Sequence, residues 1–149
     1  MKKLLLFLAI AGGAFFLIVA FFFVSGVVKG FREASRHGGS DAAIERRLAA
    51  QAKEINAELP QMQDGGVRVD SVVAGPGARL TYTCTLINIS AANLDSAKFA
   101  STAKLKLLDH YKTSPRMAPL RKMEVELAYN YVDKDGKAIA TIVVSPKDL

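Results

Sequence analysis

Residues 123–144 read MEVELAYNYVDKDGKAIATIVV, and this stretch decides the kind of fold that the chain adopts. Apolar and polar side chains alternate through its first half, which is the two-residue period of a strand with one buried face. The segment Asp133–Gly136 can turn the chain, with Gly136 in the left-handed conformation that a tight hairpin needs. A second apolar run follows and ends before Pro146. The stretch therefore predicts a β-hairpin.

A second hairpin is predicted upstream of the first. Residues Val67–Val73 alternate in the same way, and Leu80–Ile89 form the return strand. The sequence AGPG at residues 74–77 suits a type II turn, because its proline fixes φ and its second glycine, Gly77, accepts a positive φ. Cys84 lies on the apolar face of the return strand. Because it is the only cysteine, it excludes an intrachain disulfide, and we expect a buried thiol.

An amphipathic helix is predicted before each hairpin. Asp41–Leu59 repeats apolar residues at three- and four-residue spacing, and Pro60 ends the pattern. Ser96–Tyr111 shows the same spacing, and Asp95 can cap its first turn. The order helix, hairpin, helix, hairpin predicts an α+β domain of the αββαββ type, with a four-stranded, mainly antiparallel sheet and two helices on one face. This soluble domain is expected to span residues 41–149.

The first 40 residues have a different composition. The segment Leu4–Val28 contains 25 residues and no charge. As a helix it would reach about 37 Å, which exceeds the hydrocarbon core of a bilayer at about 30 Å. We therefore predict an N-terminal transmembrane helix, an uncleaved signal anchor over residues 1–29, followed by a polar tether over residues 30–40. A cleaved signal peptide is the alternative, although its apolar region would normally span only about 7–15 residues.

The basic residues beside the apolar segment indicate its orientation. Two lysines, Lys2 and Lys3, directly precede it. Three basic residues follow it, so the numbers of positive charges on the two sides are nearly equal: Lys29, Arg32 and Arg36. Lysines at the extreme N-terminus favour a cytoplasmic N-terminus. We therefore expect a single-pass protein of a bacterial inner membrane, with the lipid bilayer as one partner and the C-terminal domain in the periplasm.

Charge and side-chain inventory exclude several classes of function. The formal net charge is +6, but residues 30–149 carry 17 Lys and Arg against 14 Asp and Glu, which leaves +3. No run of basic residues exceeds two, so nucleic-acid binding is not expected. His37 and His110 lack the spacing of a metal site, and neither a nucleophile elbow nor a phosphate-binding glycine loop occurs. We predict no catalytic residues, no cofactor and no metal.

The segment Thr113–Lys122, with the sequence TSPRMAPLRK, is the predicted partner-binding loop. Its two prolines argue against a regular helix and against a central strand, so we expect a stiff connector. Loops that combine apolar and cationic groups often carry binding residues. The candidates are Arg116, Met117, Leu120, Arg121 and Lys122. The alternative is a connector in which Met117 and Leu120 only fill the end of the sheet.

Part of the first hairpin resembles other proteins. Residues Val69–Gly77, with the sequence VDSVVAGPG, are followed by Leu80 and Tyr82, and later by the strand of Tyr129 and Tyr131. Together they resemble small bacterial membrane-attached or secreted proteins of uncharacterised function. The resemblance implies a cell-envelope setting and no particular activity.

These observations favour a non-catalytic accessory subunit of a membrane complex, which binds a protein in the membrane or the periplasm. A homo-oligomer is also compatible with the sequence. The alternative is an extracytoplasmic module that binds a small molecule or a cell-wall fragment, which would require an apolar pocket with converging polar groups. An enzyme would require a cleft that joins Asp70, Glu124 or His110.

Overall fold

The computed structural model describes residues 41–63 and 66–149. The predicted membrane anchor over residues 1–29 and the predicted tether over residues 30–40 lie outside the described residues. Among the residues that are described, no helix has both the length and the apolar character required to cross a bilayer.

The described chain forms three α-helices and five strands. In chain order they are α1 (Asp41–Ala57), β1 (Gln61–Gln63), β2 (Val67–Gly75), β3 (Arg79–Leu86), α2 (Ser96–Thr113), α3 (Ala118–Lys122), β4 (Glu126–Asp133) and β5 (Ala138–Val144). Short 3-10 turns occupy Ala91–Asn93, Pro115–Met117 and Pro146–Asp148. The predicted α+β class is thus confirmed.

The strands form one mixed sheet in the order β1-β2-β3-β4-β5. Three neighbouring pairs are antiparallel, whereas β3 and β4 run parallel, with Tyr82 opposite Tyr129. The parallel pair follows from the connection between them, because the chain crosses over through α2 and α3 before it returns. The prediction of a four-stranded sheet was wrong by one strand. The additional strand is β1, Gln61–Gln63, at one edge of the sheet.

One face of the sheet is buried along all of the long strands. Residues that pair across strands share a face, and one such row comprises Val72, Tyr82, Tyr129 and Ile142. Each member of the row is at most 6% exposed. The two long helices add their apolar stripes to the same cluster, including Leu48, Ile55, Leu107 and Tyr111. Both long helices therefore cover this face.

Local signals in the sequence correspond to the observed turns and caps. Gly77 and Gly136 have φ values of +78° and +81°, as their predicted turns require. The Asp95 carboxylate accepts the backbone N–H of Lys98 at 3.0 Å and so caps α2. Cys84 is buried, 2% exposed, as expected for a strand residue that faces the core.

Asn56, in the last turn of α1, holds that helix against β2. Its Nδ2 donates to the backbone oxygen of Val72 at 2.6 Å, and the N–H of Val72 donates to its Oδ1 at 2.8 Å. The N–H and the carbonyl oxygen of Val72 therefore bond to the Asn56 side chain and not to a neighbouring strand. Asn56 closes the outer edge of β2 at this residue.

We expect Asn56→Ala to lower the free energy of unfolding by about 1–3 kcal/mol, because two main-chain groups lose their partners. Urea unfolding of the full chain in detergent, followed by circular dichroism, measures the effect. Glu54→Ala, at an exposed position of the same helix, is the control and should change stability by less than about 0.5 kcal/mol. Equal stability of the two variants would show that the Asn56 bonds are energetically neutral.

Asp133 organises the turn between β4 and β5. It is 2% exposed, and its carboxylate accepts the backbone N–H groups of Ala91, Asp135 and Lys137 at 2.8–2.9 Å. These bonds favour the ionised form and hold the pKa of Asp133 below its ordinary value, with Ala91 the largest contributor. The side chain joins the hairpin turn to the segment that enters α2.

Because the pKa of Asp133 is lower in the folded chain than in the unfolded chain, its contribution to stability is complete above the unfolded value. It is lost as the pH falls through the folded value. We expect Asp133→Asn to reduce the loss of stability between pH 6 and pH 3, as measured by urea midpoints. Asp135→Asn, at the exposed neighbouring acid, is the control. If Asp133→Asn lost as much stability between pH 6 and pH 3 as the unsubstituted chain, the attribution of this loss to Asp133 would be wrong.

Candidate protein-binding site

The predicted partner-binding loop is helical over most of its length. The 3-10 turn Pro115–Met117 leads directly into α3, so the expectation that this segment avoids helix was wrong. Pro115 and Pro119 lie in the first positions of their respective helical segments, where proline loses no hydrogen bond. Each proline therefore lies in the first turn of a short helical segment.

The five predicted binding residues divide into two groups. Met117 and Leu120 are 0% exposed and belong to the core cluster. Arg121 is half-buried, and its Nη1 donates to the backbone oxygens of Tyr111 and Ser114. Arg116 and Lys122 are exposed. The structure thus brings two cations of the predicted set to the surface and places the apolar pair inside.

Arg121 links this segment to the end of α2. The last carbonyls of a helix have no partner within the helix, and cations are favoured beside them. Here the guanidinium bonds the Tyr111 carbonyl and the Ser114 carbonyl just beyond it. The Tyr111 hydroxyl in turn donates to the backbone oxygen of Val125 at 2.8 Å. The loop is therefore fixed at both ends, which orders the backbone that carries Arg116 and Lys122.

A cleft of about 400 Å³ opens where β3 and β4 begin and β5 ends. Arg79 and Glu126 are cross-strand partners and form an ion pair within it. Glu124 and Lys147 add one further charge of each sign. The lining comprises Pro76, Ala78, Arg79, Glu124, Glu126, Ser145, Pro146 and Lys147. Charges of both signs suit a polar or zwitterionic contact.

Glu124 has an unusual backbone conformation in this cleft. Its φ is +54°, in the left-handed region, where a side chain carries a steric cost. It follows α3, and its N–H donates to the Arg121 oxygen at 3.1 Å as the helix ends. Glycine is the usual residue in such a position. A glutamate in the left-handed conformation beside a cleft is a candidate for a functional role.

We expect Glu124→Gly to raise the free energy of unfolding by about 0.5–1 kcal/mol, because glycine adopts this φ without steric cost. The control is Glu124→Ala, which removes the charge but keeps the steric cost of the left-handed backbone. Comparing the free energies of unfolding of the two variants in denaturant isolates the backbone effect. A glycine variant no more stable than the alanine variant would show that the backbone at residue 124 is unstrained.

The side chains that an enzyme would need lie apart. Glu124 lines the cleft, whereas Asp70 accepts hydrogen bonds from Arg68 and Thr85, outside its lining. Burial lowers the pKa of His110, which keeps the imidazole neutral near pH 7. Burial, with a smaller effect of Asp70, raises the pKa of the Cys84 thiol to about 12. The thiol is therefore protonated and unreactive.

Metal-binding side chains are likewise dispersed. Within residues 41–63 and 66–149, no three His, Cys, Asp or Glu side chains form a group that could hold a metal ion. The exposed cations and the mixed-charge cleft are the features of the described residues that suit binding.

Sequence reasoning missed the cleft. Its residues come from the β2–β3 turn, the start of β4 and the turn after β5, which are distant in sequence. Of the three residues considered for a cleft, Asp70, Glu124 and His110, only Glu124 lines this one. The positive φ at a non-glycine residue could not be inferred from local periodicity.

Three solved structures share this fold. The pilotin EpsS of the Vibrio vulnificus type 2 secretion system aligns with a TM-score of 0.57 and 13% identity, covering 72% of this chain and 92% of that chain. The type II secretion pilotin AspS of Vibrio cholerae aligns with a TM-score of 0.56 and 10% identity, covering 73% and 94%. A Pseudomonas aeruginosa protein described as secreted aligns with a TM-score of 0.55 and 17% identity, covering 70% and 94%.

These similarities concern the fold alone, because the identities are low. No protein-family model and no curated protein matches the chain. The neighbours agree with the cell-envelope setting that the resemblance implied, without showing a family.

Proposed function

We propose that this chain is a non-catalytic accessory protein of a bacterial envelope assembly and acts by binding a partner protein. The observation that carries the proposal is the shared fold of two secretion-system pilotins, since more than nine-tenths of each of those chains is covered. A fold by itself does not determine function. The surface chemistry adds support, because exposed cations suit contact with a partner and the Cys84 thiol is buried and protonated.

In this proposal, residues 1–29 anchor the protein in the inner membrane and residues 30–40 connect the anchor to the domain over residues 41–149. The uncharged segment Leu4–Val28 supports the anchor through its length. The N-terminus lies in the cytoplasm and the domain in the periplasm. A short tether then confines the domain to partners close to the membrane surface.

The proposed partner contact includes the exposed cations Arg116 and Lys122. Arg121 fixes the segment between them through its bonds to Tyr111 and Ser114. A cation on an ordered backbone loses less conformational entropy on binding than one on a mobile loop. This arrangement favours a partner surface with acidic groups.

Site-specific photo-crosslinking in native membranes tests the proposal. A photoreactive residue at position 116 of the full chain is expected to link one partner protein, identified by mass spectrometry. The same residue at Glu54, exposed on α1, is the matched control and should not link that partner. Recovery of the chain alone from position 116 and from every other exposed position tried would contradict an accessory role.

The cleft supports a second candidate function, the binding of a small molecule or cell-wall fragment. Arg79, Glu124 and Lys147 converge there with two prolines, and zwitterionic muropeptides present complementary charges. A thermal-shift titration with a muropeptide should raise the Tm of the full chain and leave that of Arg79→Ala unchanged. Equal shifts in both proteins, or no shift, would remove this candidate.

A further inference from the structure

The first helix of the domain begins beside the turn between β2 and β3. Glu45, early in α1, accepts the backbone N–H of Gly77 in that turn at 2.6 Å. Further along the helix, Asn56 bonds Val72 within β2. α1 therefore runs from the β2–β3 turn back along the sheet. Asp41, its first residue, lies at the outer end of the helix, on the side of this turn.

The segment over residues 112–122 lies at the same end of the sheet. The N–H of Glu126, where β4 begins, donates to the Ala78 oxygen beside the β2–β3 turn at 2.7 Å. The N–H of Val125 donates to the Leu120 oxygen of α3 at 2.9 Å. These bonds join α3 and the start of β4 to the β2–β3 turn. We call this part of the domain the tether end, and it comprises residues 41–45, 76–78 and 112–122.

The opposite end of the domain lies one strand length away. β3 and β4 run parallel, and their last paired residues are Leu86 and Asp133. A strand of eight residues, such as β3, spans about 26 Å. The β4–β5 turn follows Asp133 and carries the exposed Lys134. Residues 112–122 and Lys134 therefore lie at opposite ends of the sheet.

The tether end carries a basic sequence without acidic interruption. Residues 112–122 contain four basic residues and no acidic residue. Lys112, Arg116 and Lys122 are exposed, whereas Arg121 bonds carbonyl oxygens at the end of α2. At the opposite end, residues 133–137 contain two acidic and two basic residues. An acidic surface is thus attracted to residues 112–122 more strongly than to the β4–β5 turn.

The length of the predicted tether limits how far this end can lie from the bilayer. Residues 30–40 comprise 11 residues. A chain of this length spans at most about 36–40 Å when fully extended, and about 20 Å as a random coil. A small globular domain has a diameter of about 30 Å. A separate domain would fit between the tether end and the bilayer only with the tether stretched close to its limit, which chain entropy opposes.

We propose that the partner is an integral membrane protein, whose acidic residues at the membrane surface contact the tether end. This inference rests on the proposed accessory function and specifies its partner. A loop of a membrane protein already lies beside the bilayer, so the contact requires no stretching of the tether. Confinement of both proteins to one membrane also raises their effective concentration. The contact on this chain comprises Lys112, Arg116 and Lys122.

Anionic lipid is the other surface that attracts cations near a membrane. Salt screens this attraction over about 8 Å at physiological ionic strength, which is shorter than the reach of the tether. Glu124 is exposed directly after α3 and is repelled by anionic headgroups. A protein loop can place its carboxylates beside the cations and away from Glu124, whereas a flat lipid surface cannot. The arrangement therefore favours a protein.

Energy transfer to the lipid surface tests which end of the domain faces the bilayer. Arg116→Cys and Lys134→Cys variants of the full chain are labelled with a donor fluorophore. They are reconstituted into vesicles of phosphatidylethanolamine and phosphatidylglycerol that contain an acceptor-labelled lipid. Transfer from position 116 should exceed that from position 134 at least twofold. Equal or smaller transfer from position 116 would overturn the inference.

Two controls accompany this measurement. The chain without an introduced cysteine should take up no donor, because Cys84 is 2% exposed and its thiol is protonated. In vesicles of phosphatidylcholine, transfer from position 116 should be unchanged. Transfer from position 116 that rises at least twofold when phosphatidylglycerol is present would assign the tether end to anionic lipid and would contradict a protein contact.

Photo-crosslinking in native membranes tests the kind of partner. A photoreactive residue at position 112 of the full chain is expected to link a protein that contains a transmembrane segment, at an acidic loop mapped by mass spectrometry. Arg116→Glu/Lys122→Glu should lower the yield of this product at least fivefold. The control Lys134→Glu/Lys137→Glu, at exposed lysines of the opposite end, should change the yield less than twofold. A linked protein without a transmembrane segment would refute the proposed partner class.

Failure of this inference is distinguishable from failure of the proposed function. If positions 112 and 116 link a soluble periplasmic protein, or if only the opposite end links a partner, the accessory function stands and this inference is wrong. If no exposed position links any protein, both are wrong.

Discussion

Leu120→Ala is expected to lower the free energy of unfolding by about 2–5 kcal/mol, the range for removing a buried leucine side chain from a packed core. Leu120 is 0% exposed, and its backbone oxygen also accepts the N–H of Val125 at 2.9 Å as α3 ends. The substitution removes packing at the junction between α3 and β4. Urea unfolding of the full chain in detergent, followed by circular dichroism, measures the loss.

Lys122→Ala is the matched control, because Lys122 is exposed and only two residues away. Its effect on stability should be less than about 0.5 kcal/mol. Comparison of Leu120→Ala with Lys122→Ala distinguishes a connector that packs in the core from a loop that binds a partner. If Leu120→Ala keeps its stability but loses the partner crosslink from position 116, Leu120 contributes to binding and the assignment to the core is wrong.

Tyr111→Ala is expected to have an effect of about 3–5 kcal/mol, comparable to the removal of other large buried aromatic side chains. Tyr111 is 1% exposed at the end of α2, and its hydroxyl donates to the Val125 oxygen at 2.8 Å. The residue therefore packs α2 on the sheet and also bonds the chain just before β4. Both contributions are lost in the alanine variant.

Tyr111→Phe isolates the hydrogen bond from the packing. It should cost about 1–2 kcal/mol, because the ring is kept while the Val125 oxygen loses its donor. Burial raises the pKa of Tyr111 to about 12, so the hydroxyl remains a donor throughout the neutral range. Denaturant midpoints of Tyr111→Ala and Tyr111→Phe at pH 7 measure how the loss of stability divides between the ring and the hydroxyl. A phenylalanine variant as unstable as the alanine variant would show that the hydroxyl, and not the ring, dominates.

The role of Tyr111 links stability to the proposed function. Arg121 bonds the Tyr111 backbone oxygen, and the same segment presents Arg116 and Lys122. Loss of the aromatic ring is therefore expected to disturb the positions of these cations. Binding measurements on Tyr111→Ala would combine both effects, which makes Tyr111→Phe the better variant for partner experiments.

Much of the local structure could be predicted from periodicity. The alternation in residues 123–144 and 67–73 identified both hairpins, and the three- and four-residue spacing identified both long helices. Gly77 and Gly136 were assigned to turns because only glycine adopts a positive φ without cost. Such signals depend on the residues of one short segment, so they require no knowledge of the rest of the chain.

The errors lie where distant segments decide the outcome. β1 has three residues, too few for a periodic pattern, and it is a strand only because β2 lies beside it. The segment Thr113–Lys122 was expected to avoid regular helix, since prolines break helix interiors, but here each proline lies in the first turn of a helical segment. Of the predicted binding residues, Met117 and Leu120 lie in the core. That prediction of a binding site stays untested.

The sequence by itself determined the helices, the hairpins, their turns and the absence of a disulfide, because propensity, periodicity and cysteine count act locally. Only the tertiary structure decided the parallel pairing of β3 with β4, the bonding of Asn56 to β2 and the strand order that places β1 and β5 at opposite edges of the sheet. It also brought Arg79, Glu124 and Lys147 to one cleft. These features depend on which surfaces meet when the core closes, and hydrophobic burial specifies that only for the chain as a whole.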